Sequence, residues 1–417
     1  MPGPFENLKV IEFGRFIAAP YCGQLLADGG ADVIKVESLD GDETRRNGAI
    51  IPGEGRQFLN KNRGKRSLSV DLNNPDALRA VHTLARGADV VVANFRPGQA
   101  RRHGLDFDSL SSANPRLIYA ENTAYGRVGP MADTPGMDVV VAGYSGLLNI
   151  TAEGPLMPPD PIIDYTAGLL LAWGVSTALY ARERTGRGQR LDVALLQAAL
   201  VLQNNHMNHV DVIDGWRLEF IEYLKHAFAS GASWSEVLAT RDELQPHAPA
   251  RVYYGFLRTA DGMMSVAALA RPLRLKMMDV VGFEDRWTRD PGWVPDDARA
   301  YTADLLTKVE SILATDTTAR WCEKLSAAGI PCGPMRLREQ LLDDEQVLAN
   351  GFVVRLEHEL VGEVTVVAPP VAFSETPLRV TSPSPVHGRH TRDILREAGL
   401  SDGEIARMVA GGAVLQG

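Results

Sequence analysis

The 417-residue sequence contains little cysteine and no excess of positive charge. Its three cysteines form no CxxC pair, and an odd count in a chain of this size indicates free thiols in a reducing compartment, so we expect a cytoplasmic protein. The net charge of −9 argues against a surface that binds nucleic acid or acidic membranes in general. Any anion site therefore requires a local group of lysines and arginines.

Targeting signals and long hydrophobic runs are also missing. The first residues, MPGPFENLKVIEF, contain no basic segment followed by an apolar one, so no signal peptide is predicted. The most apolar stretch, residues 166–181, falls short of the ~20 residues that a bilayer span needs, and it ends in RERTGRGQR. We therefore predict a buried helix there and no membrane partner.

Several familiar site motifs are absent as well. No GxGxxG follows the first predicted strand and no GxxxxGK[ST] occurs, which disfavours the usual dinucleotide and P-loop sites. The segment GYSGL lacks the second glycine of a GxSxG elbow, so Ser145 is interpreted as structural. His206 and His209 have a spacing that suits a shared metal, but no third ligand is arranged nearby, and no metal site is predicted.

The first 130 residues alternate short β-rich runs with helical patterns. Strands are predicted for LKVIEF, ADVIKVE, RSLSVDL, ADVVVAN and RLIYAEN. The helical segments between them have start and stop signals such as Asn74 before Pro75 and a closing Gly87. Alternation of this kind indicates parallel strands joined by crossover helices, so we predict an open, doubly wound α/β sheet.

The composition changes after about residue 212. Residues 213–330 carry five of the six tryptophans, which suggests a separate smaller module. The tail changes character again, because FVVRLEHELVGEVTVVAPPVAF predicts a β-hairpin and HTRDILREAGLSDGEIARMVAGG predicts two short helices.

Positive charge is concentrated in the segments that flank the predicted strands. Ligands of such sheets bind beyond the carboxyl ends of the strands. The segments FLNKNRGKRS and NFRPGQARR supply seven cations: Lys61, Arg63, Lys65, Arg66, Arg96, Arg101 and Arg102. With Phe16 and Phe95 available to cover an adenine ring, this group predicts a polyphosphate ligand. For any single one of these side chains, a solvated surface position is an equally good interpretation.

Asp164 directly precedes a helical pattern that is apolar almost all round and stops at Gly186. Such a helix is predicted to be buried, and an aspartate at its start is first of all an expected N-cap. The same position suits a nucleophile, because the positive end of the helix dipole would keep the carboxylate ionised where burial would otherwise raise its pKa. The small residues Ala167 and Gly168 would let a substrate approach.

Seven segments in this order resemble the class III coenzyme A transferases of the CaiB/BaiF type, which include formyl-CoA transferase and have α-methylacyl-CoA racemase as a relative. They are GQLLADGGADVIKVES, FLNKNRGKRSLSVDL, ADVVVANFRPGQARRHGLDFDSL, NPRLIYAENTAYGRVGPMADTPGMD, DYTAGLLLAWGVSTALYARERTGRGQRLDVALLQA, AGIPCGPMR and HGRHTRDILREAGLS. The resemblance covers almost the whole chain. It implies a doubly wound parallel-sheet large domain and a smaller α+β domain in an interlocked, ring-like homodimer. The corresponding boundaries are 1–200 for the large domain, 201–225 for a linker, 226–330 for the small domain and 331–417 for the return to the large domain.

The resemblance also implies site residues. The catalytic aspartate of the family matches Asp164. The family's coenzyme A contacts match Phe16, Ile17, Ala18, Ser38, Leu59, Asn60, Lys61, Asn62, Asn94, Phe95, Arg96, Arg102, Pro135, Gly136, Met137 and Asp138. Two positions depart from the pattern, since Ser38 replaces an arginine of some members and Met137 replaces the histidine of the racemases. Without that base, a two-base proton exchange is disfavoured.

The resemblance therefore implies transfer of coenzyme A from an acyl-CoA to a carboxylic acid, through an acyl-aspartyl anhydride and an aspartyl-CoA thioester. Coenzyme A is then a substrate, and no prosthetic group is expected. The alternatives are an acyl-CoA racemase or epimerase on the same fold and a non-catalytic acyl-CoA-binding protein. Backbone amides around Gly126 are expected to stabilise the oxyanion. An apolar acyl side is expected to be lined by Tyr253, Tyr254, Met263 and Met264.

Overall fold

The computed structural model describes residues 2–245, 250–290 and 292–417. The chain forms two compact units, the larger from Met1–His209 with Gln346–Gly417 and the smaller from Val210–Glu345. The division therefore falls at 209/210 and 345/346, whereas the predicted small domain spans 226–330. Residues 246–249 and 291 of that predicted domain lie outside the described residues.

The larger unit is built on a seven-stranded sheet. Its strands are β1 (Lys9–Phe13), β2 (Asp32–Glu37), β3 (Arg66–Val70), β4 (Val90–Ala93), β5 (Ile118–Thr123), β6 (Arg190–Ala194) and β7 (Val414–Leu415). The spatial order is β6-β5-β4-β1-β2-β3-β7, and every pair is parallel except β3 with β7. The parallel-sheet prediction is confirmed. The strand order reverses between β1 and β4, which is where ligands of such sheets bind.

Helices cover both faces of this sheet. The main ones are α1 (Ala18–Asp28), α2 (Pro75–Arg86), α3 (Asp138–Ser145), α4 (Ile162–Thr185), α5 (Leu195–Leu202), α6 (Thr391–Glu397) and α7 (Asp402–Ala410). Shorter helices span Glu43–Arg45, Arg56–Leu59, Gln99–Arg102, Phe107–Ser111, Asn204–Met207 and Glu345–Ala349. Two-stranded ribbons pair Ala49–Ile51 with Glu54–Gly55, Ile150–Thr151 with Gly154–Pro155, and Val353–His358 with Gly362–Val367.

Alternation along the strands decides which face each side chain occupies. Ile11 and Ile34 belong to a buried cluster with residues of α2, α6 and α7. Val10 and Val33 belong to a second cluster on the opposite face, with residues of α1 and α4. Because successive strand side chains point to opposite faces, the sheet is apolar on both sides and is wound with helices on both.

A buried ionic cluster interrupts the second face. Lys35 Nζ lies 3.0 Å from Glu12 Oε1 and 3.0 Å from Asp42 Oδ2, and Lys65 Nζ lies 2.6 Å from Glu12 Oε2. These side chains are almost wholly shielded from solvent. Full burial of charged groups requires such pairing, because each isolated ion would lose its hydration. The sequence analysis did not predict this cluster.

Helix α4 contains the apolar run of residues 166–181 and extends beyond it at both ends. It has 24 residues, ends before Gly186 as predicted, and by length and composition it would be able to cross a membrane. The expectation that this region is too short for a bilayer span was therefore wrong. Core helices pass the same test, so the observation is weak evidence for a span, and Leu171 and Val175 of α4 are buried against the sheet.

The smaller unit combines helices with a three-stranded antiparallel sheet of Tyr254–Arg258, Met263–Ala267 and Cys332–Pro334. Its helices are Gly215–Ala227, Phe228–Ser230, Trp234–Leu244, Ala250–Tyr253, Arg271–Val281, Arg286–Arg289, Ala298–Leu313, Thr318–Ala327 and Arg338–Leu341. Tyr253 and Met264 are fully buried in its hydrophobic core, whereas Tyr254 and Met263 are exposed. The expectation that Tyr253 and Met264 line a substrate site was wrong.

Candidate active site

A cavity of about 1200 Å³ lies at the carboxyl ends of the sheet strands. Its walls include Arg15 and Phe16 after β1, Ser38 after β2, and Asn94–Gln99 after β4. The cavity is therefore centred on the reversal of strand order, and its volume exceeds that of most pockets for drug-sized ligands. A long ligand with a nucleotide portion fits a site of this size.

The loops after β1 and β4 are tied together. The side chain of Asn94 accepts a hydrogen bond from the Arg15 N–H (2.9 Å) and donates one to the Arg15 carbonyl (2.8 Å). The next residue, Phe16, has φ +63°, a left-handed conformation that is strained for a bulky side chain. A strained conformation of this kind persists only where surrounding contacts enforce it. Here the hydrogen bonds of the preceding residue, Arg15, to Asn94 fix the loop, and Phe16 lies in the cavity wall.

The predicted cation group divides into two sets. Three members are held in ion pairs, since Lys65 pairs with Glu12, Arg63 with Asp28 at 2.7 Å, and Arg66 with Asp32 and Glu397. Of the other four, Arg96 and Arg101 line the cavity, with Arg101 also 4.0 Å from the exposed Asp108, and Lys61 and Arg102 lie outside the lining formed by the described residues. The prediction that all seven cations face one ligand was wrong, because the carboxylates that pair with Arg63, Lys65 and Arg66 come from elements distant in the sequence.

Three arginines of the cavity wall were not predicted: Arg15, Arg127 and Arg190. Arg15 lies 3.0 Å from Glu43, Arg190 pairs with Glu121, and Arg127 lies 3.8 Å from Asp192. Proximity to the end of a predicted strand was the available signal for Arg15 and Arg127. Arg190 begins β6, so no such signal marked it.

The remaining predicted contacts also divide. Cavity walls include Phe16, Ser38, Asn94, Phe95, Arg96, Pro135, Gly136 and Met137. Outside the described lining lie Ile17, Ala18, Leu59, Asn60, Lys61, Asn62, Arg102 and Asp138. Ile17, Ala18 and Leu59 are buried in the core. The Asn62 side chain donates a hydrogen bond to the Phe58 carbonyl and accepts one from the Lys65 ammonium. Contact with coenzyme A stays a prediction for every one of them.

Helix α4 begins in a way that the sequence did not indicate. Its N-cap position is Pro161, and within the described residues the Asp164 side chain makes no capping hydrogen bond. Instead, Asp138 Oδ2 accepts the N–H groups of Ile163 and Asp164, each at 3.0 Å. The expectation that Asp164 caps the helix was wrong, because the N-cap position lies three residues earlier, at Pro161, and a carboxylate from α3 takes the first amides of the helix.

Asp164 is 9% exposed and lines the cavity. Burial, and to a smaller extent the negative charge of Asp138, raise the pKa of its carboxyl group to about 7, with the ammonium of Lys61 opposing both. The expectation that the helix dipole keeps this group fully ionised is therefore not met. Lys61 is also buried, and burial lowers its pKa to about 8. A buried carboxylate whose pKa is raised to about 7 is partly ionised at neutral pH, and in that form it is a nucleophile by its chemistry.

Two glycine expectations need correction. A Cβ at Gly168 would lie 2.9 Å from the Ala18 carbonyl oxygen, so this glycine permits close packing of α1 on α4 rather than approach of a substrate. The N–H of Gly126 already donates to Thr123 Oγ1 at 3.2 Å, which removes it as an expected oxyanion donor.

Comparison with known proteins identifies the family of the chain. The chain matches the family model for CoA-transferase family III over residues 5–391. It is 34% identical to a succinate–glutarate CoA-transferase of Agrobacterium fabrum (94% of this chain, 95% of that protein) and 32% identical to a formyl-CoA:oxalate CoA-transferase of Rhodopseudomonas palustris (99% and 98%). A crystal structure of a CAIB/BAIF family protein from Brucella suis matches with a TM-score of 0.74 at 30% identity, over 95% of this chain and 100% of that one. The chain belongs to CoA-transferase family III and is an enzyme of the CoA-transferase type.

Proposed function

We propose that this enzyme moves coenzyme A from an acyl-CoA thioester to a carboxylic acid through covalent intermediates on Asp164. The observation that carries the proposal is the state of that carboxylate. It lies buried in the wall of the cavity at the strand-order reversal, and another carboxylate takes the helix amides that would otherwise occupy it. A carboxylate held in this way is available for attack on a carbonyl carbon.

The proposed reaction needs four attacks and no net proton transfer. A carboxylate oxygen of Asp164 attacks the thioester carbonyl, the C–S bond breaks, and an acyl-aspartyl anhydride and the coenzyme A thiolate form. The thiolate attacks the aspartyl carbonyl, which releases the first acid and leaves an aspartyl-CoA thioester. The acceptor carboxylate then attacks that thioester to give a second anhydride and the thiolate. The thiolate attacks the acceptor's acyl carbon, which yields the new acyl-CoA and restores Asp164.

The thiolate has to stay close throughout this sequence. Guanidinium groups of Arg15, Arg96 and Arg101 line the cavity and would hold the phosphates, while Phe95, packed 5.2 Å from Phe13 between ring centroids, would cover the adenine. Retention of the leaving group makes each return attack effectively unimolecular, which lowers its entropic cost.

We propose a dicarboxylic acid as one substrate. Succinate, glutarate and oxalate appear in the names of the two relatives above. Arg127 lines the same cavity as Asp164, is about half exposed, and lies at the long distance of 3.8 Å from Asp192. Its guanidinium would bind a second carboxylate of the substrate. This replaces the expected apolar substrate, which rested in part on the buried Tyr253 and Met264.

Trapping of the intermediates tests the proposal. The enzyme is incubated with succinyl-CoA and then with hydroxylamine or borohydride, and its peptides are analysed by mass spectrometry. We expect a modification at Asp164 that is absent without the thioester and absent from Asp164→Asn. An unmodified Asp164 would contradict the mechanism. Incorporation of deuterium at the α-carbon without any acceptor acid would support a racemase instead, although Met137 in the cavity wall supplies no base for it.

We also propose that the chain assembles as a homodimer. Helix α4 exposes Leu169, Trp173 and Tyr180, with exposed fractions of 46%, 69% and 68%, and their spacing puts them on one face of the helix. Large apolar side chains in such a row mark protein interfaces. Sedimentation equilibrium at micromolar concentration is expected to give twice the mass of one chain, and a monomer would contradict this.

A further inference from the structure

Asp138 connects two helices that meet at the cavity. It is the first residue of α3, directly after the wall residues Pro135–Met137, and it lies 26 residues before Asp164 in the sequence. One of its oxygens accepts two consecutive amides of α4, from Ile163 and Asp164. A cap supplied by another helix fixes the start of α4 relative to the cavity wall.

We infer that Asp138 is the positioning residue of the nucleophile: it occupies the first amides of α4 and so leaves the carboxylate of Asp164 available to the substrate. The inference rests on the proposed function, in which Asp164 attacks the thioester.

The reason lies in the chemistry of a helix start. The first amides of any helix lack partners within the helix, and a nearby aspartate side chain is a preferred acceptor for them. Pro161, at the N-cap position, has no side-chain acceptor to offer. Without Asp138, the carboxylate of Asp164 would turn toward these amides, and hydrogen bonds that stabilise its charge would make it a weaker nucleophile.

The second effect of Asp138 is electrostatic. Burial raises the pKa of Asp138, and the two amides that donate to it oppose that rise by favouring its charged form. The negative charge of Asp138 in turn raises the pKa of Asp164. Among the described residues, the ammonium of Lys61 also acts on Asp164 and favours its ionisation, and the charge of Asp164 contributes to the raised pKa of its neighbour Tyr165. A carboxylate of raised pKa is more basic than an ordinary one and is still partly ionised at neutral pH, which suits nucleophilic attack.

Two substitutions separate these effects. Asp138→Asn keeps an acceptor oxygen for both amides and removes the charge, whereas Asp138→Ala removes both. The activity with succinyl-CoA and an acceptor acid is measured across the neutral pH range, with kcat and KM determined separately. In the unchanged enzyme we expect kcat/KM to rise with pH and to level off above pH 7, because the attacking form of Asp164 is the ionised one.

For Asp138→Asn we expect this rise to move to lower pH by about one unit, so that the ratio of activity at pH 6 to activity at pH 8 increases about fivefold. For Asp138→Ala we expect kcat to fall roughly 10- to 100-fold with little change in KM for the acyl-CoA, because the nucleophile is misplaced after binding. A merely structural cap would lower the melting temperature without moving the pH profile.

Ser401→Ala is the matched control, since it removes the N-cap of α7, a helix that contributes no residue to the described cavity lining. It is expected to lower the melting temperature and to leave the pH profile unchanged. An unmoved profile in Asp138→Asn, or full kcat in Asp138→Ala, would overturn the inference even if Asp164 is trapped covalently. If Asp138→Ala does not fold, the profile of Asp138→Asn decides alone. Failure of the trapping experiment, in contrast, would refute the proposed function itself.

Discussion

Replacement of Asp164 by asparagine is expected to lower kcat by at least about a thousandfold. The amide has nearly the same shape but cannot attack a thioester, so both covalent intermediates are lost while binding of the acyl-CoA persists. Steady-state transfer of coenzyme A to an acceptor acid measures the loss, and a direct binding measurement with the acyl-CoA shows that the cavity is intact. Near-normal turnover in this variant would exclude Asp164 as the nucleophile.

The stability of the same variant provides an independent check. The pKa of Asp164 is raised to about 7 in the folded protein, so ionisation of this group costs the folded state free energy. The stabilising contribution of the protonated group is complete below its unfolded pKa, near 4, and is lost as the pH rises through about 7. At pH 8 the free energy of unfolding of Asp164→Asn is therefore expected to exceed that of the unchanged enzyme by up to about 4 kcal/mol, measured by urea denaturation, because the folded and unfolded pKa values differ by about 3, which corresponds to that free energy. The difference should disappear toward pH 4.

Asp133→Asn is a suitable control for the kinetic experiment. Asp133 is an exposed carboxylate that lines the same cavity. Because it does not occupy a helix start and faces solvent, its loss should reduce kcat far less than the loss of Asp164. Equal losses in the two variants would indicate a general effect of negative charge in the cavity and not nucleophilic catalysis.

Glu12→Gln is expected to lower the free energy of unfolding by about 3–5 kcal/mol. Glu12 lies between the ammonium groups of Lys35 and Lys65, at 3.0 and 2.6 Å, in a cluster closed to solvent. The substitution leaves two buried positive charges with one fewer partner. Helix α1 packs so closely on this side chain that a Cβ at Gly23 would clash with it, so relaxation is restricted. Urea denaturation at pH 7 measures the effect.

Arg66→Met is the matched control for the ionic cluster. Arg66 also bridges two carboxylates, Asp32 and Glu397, but its side chain and both partners are partly exposed. Such pairs contribute at most about 1 kcal/mol. A second test is the double variant Glu12→Gln with Lys65→Met, which should recover part of the lost stability because one unpaired charge is removed as well. If Glu12→Gln and Arg66→Met lower the free energy of unfolding equally, burial is not the reason that the Glu12 cluster stabilises the protein.

Some of the site residues could be predicted from the sequence and others could not. Asp164, Phe16, Phe95 and Arg96 were identified from their positions next to predicted elements, and all four are found in one cavity wall. Position along a strand or helix is a local property, so a local pattern indicates it. The ionic partner of Lys65 was missed because it comes from a strand more than 50 residues earlier. A weak signal existed, since Glu12 and Lys35 are charged residues that lie within the apolar runs of β1 and β2.

The sequence by itself determined the alternation of strands and helices, the parallel sheet and the family, because strand and helix periodicity and ordered motifs are properties of neighbouring residues. Only the tertiary structure decided which charged side chains remain available to a ligand. It assigned Arg63, Lys65 and Arg66 to ion pairs within the protein, and it gave the cap of α4 to Asp138. The reason is physical: a charge buried on folding requires a partner, and that partner is selected by the packing of distant segments and not by the order of residues along the chain.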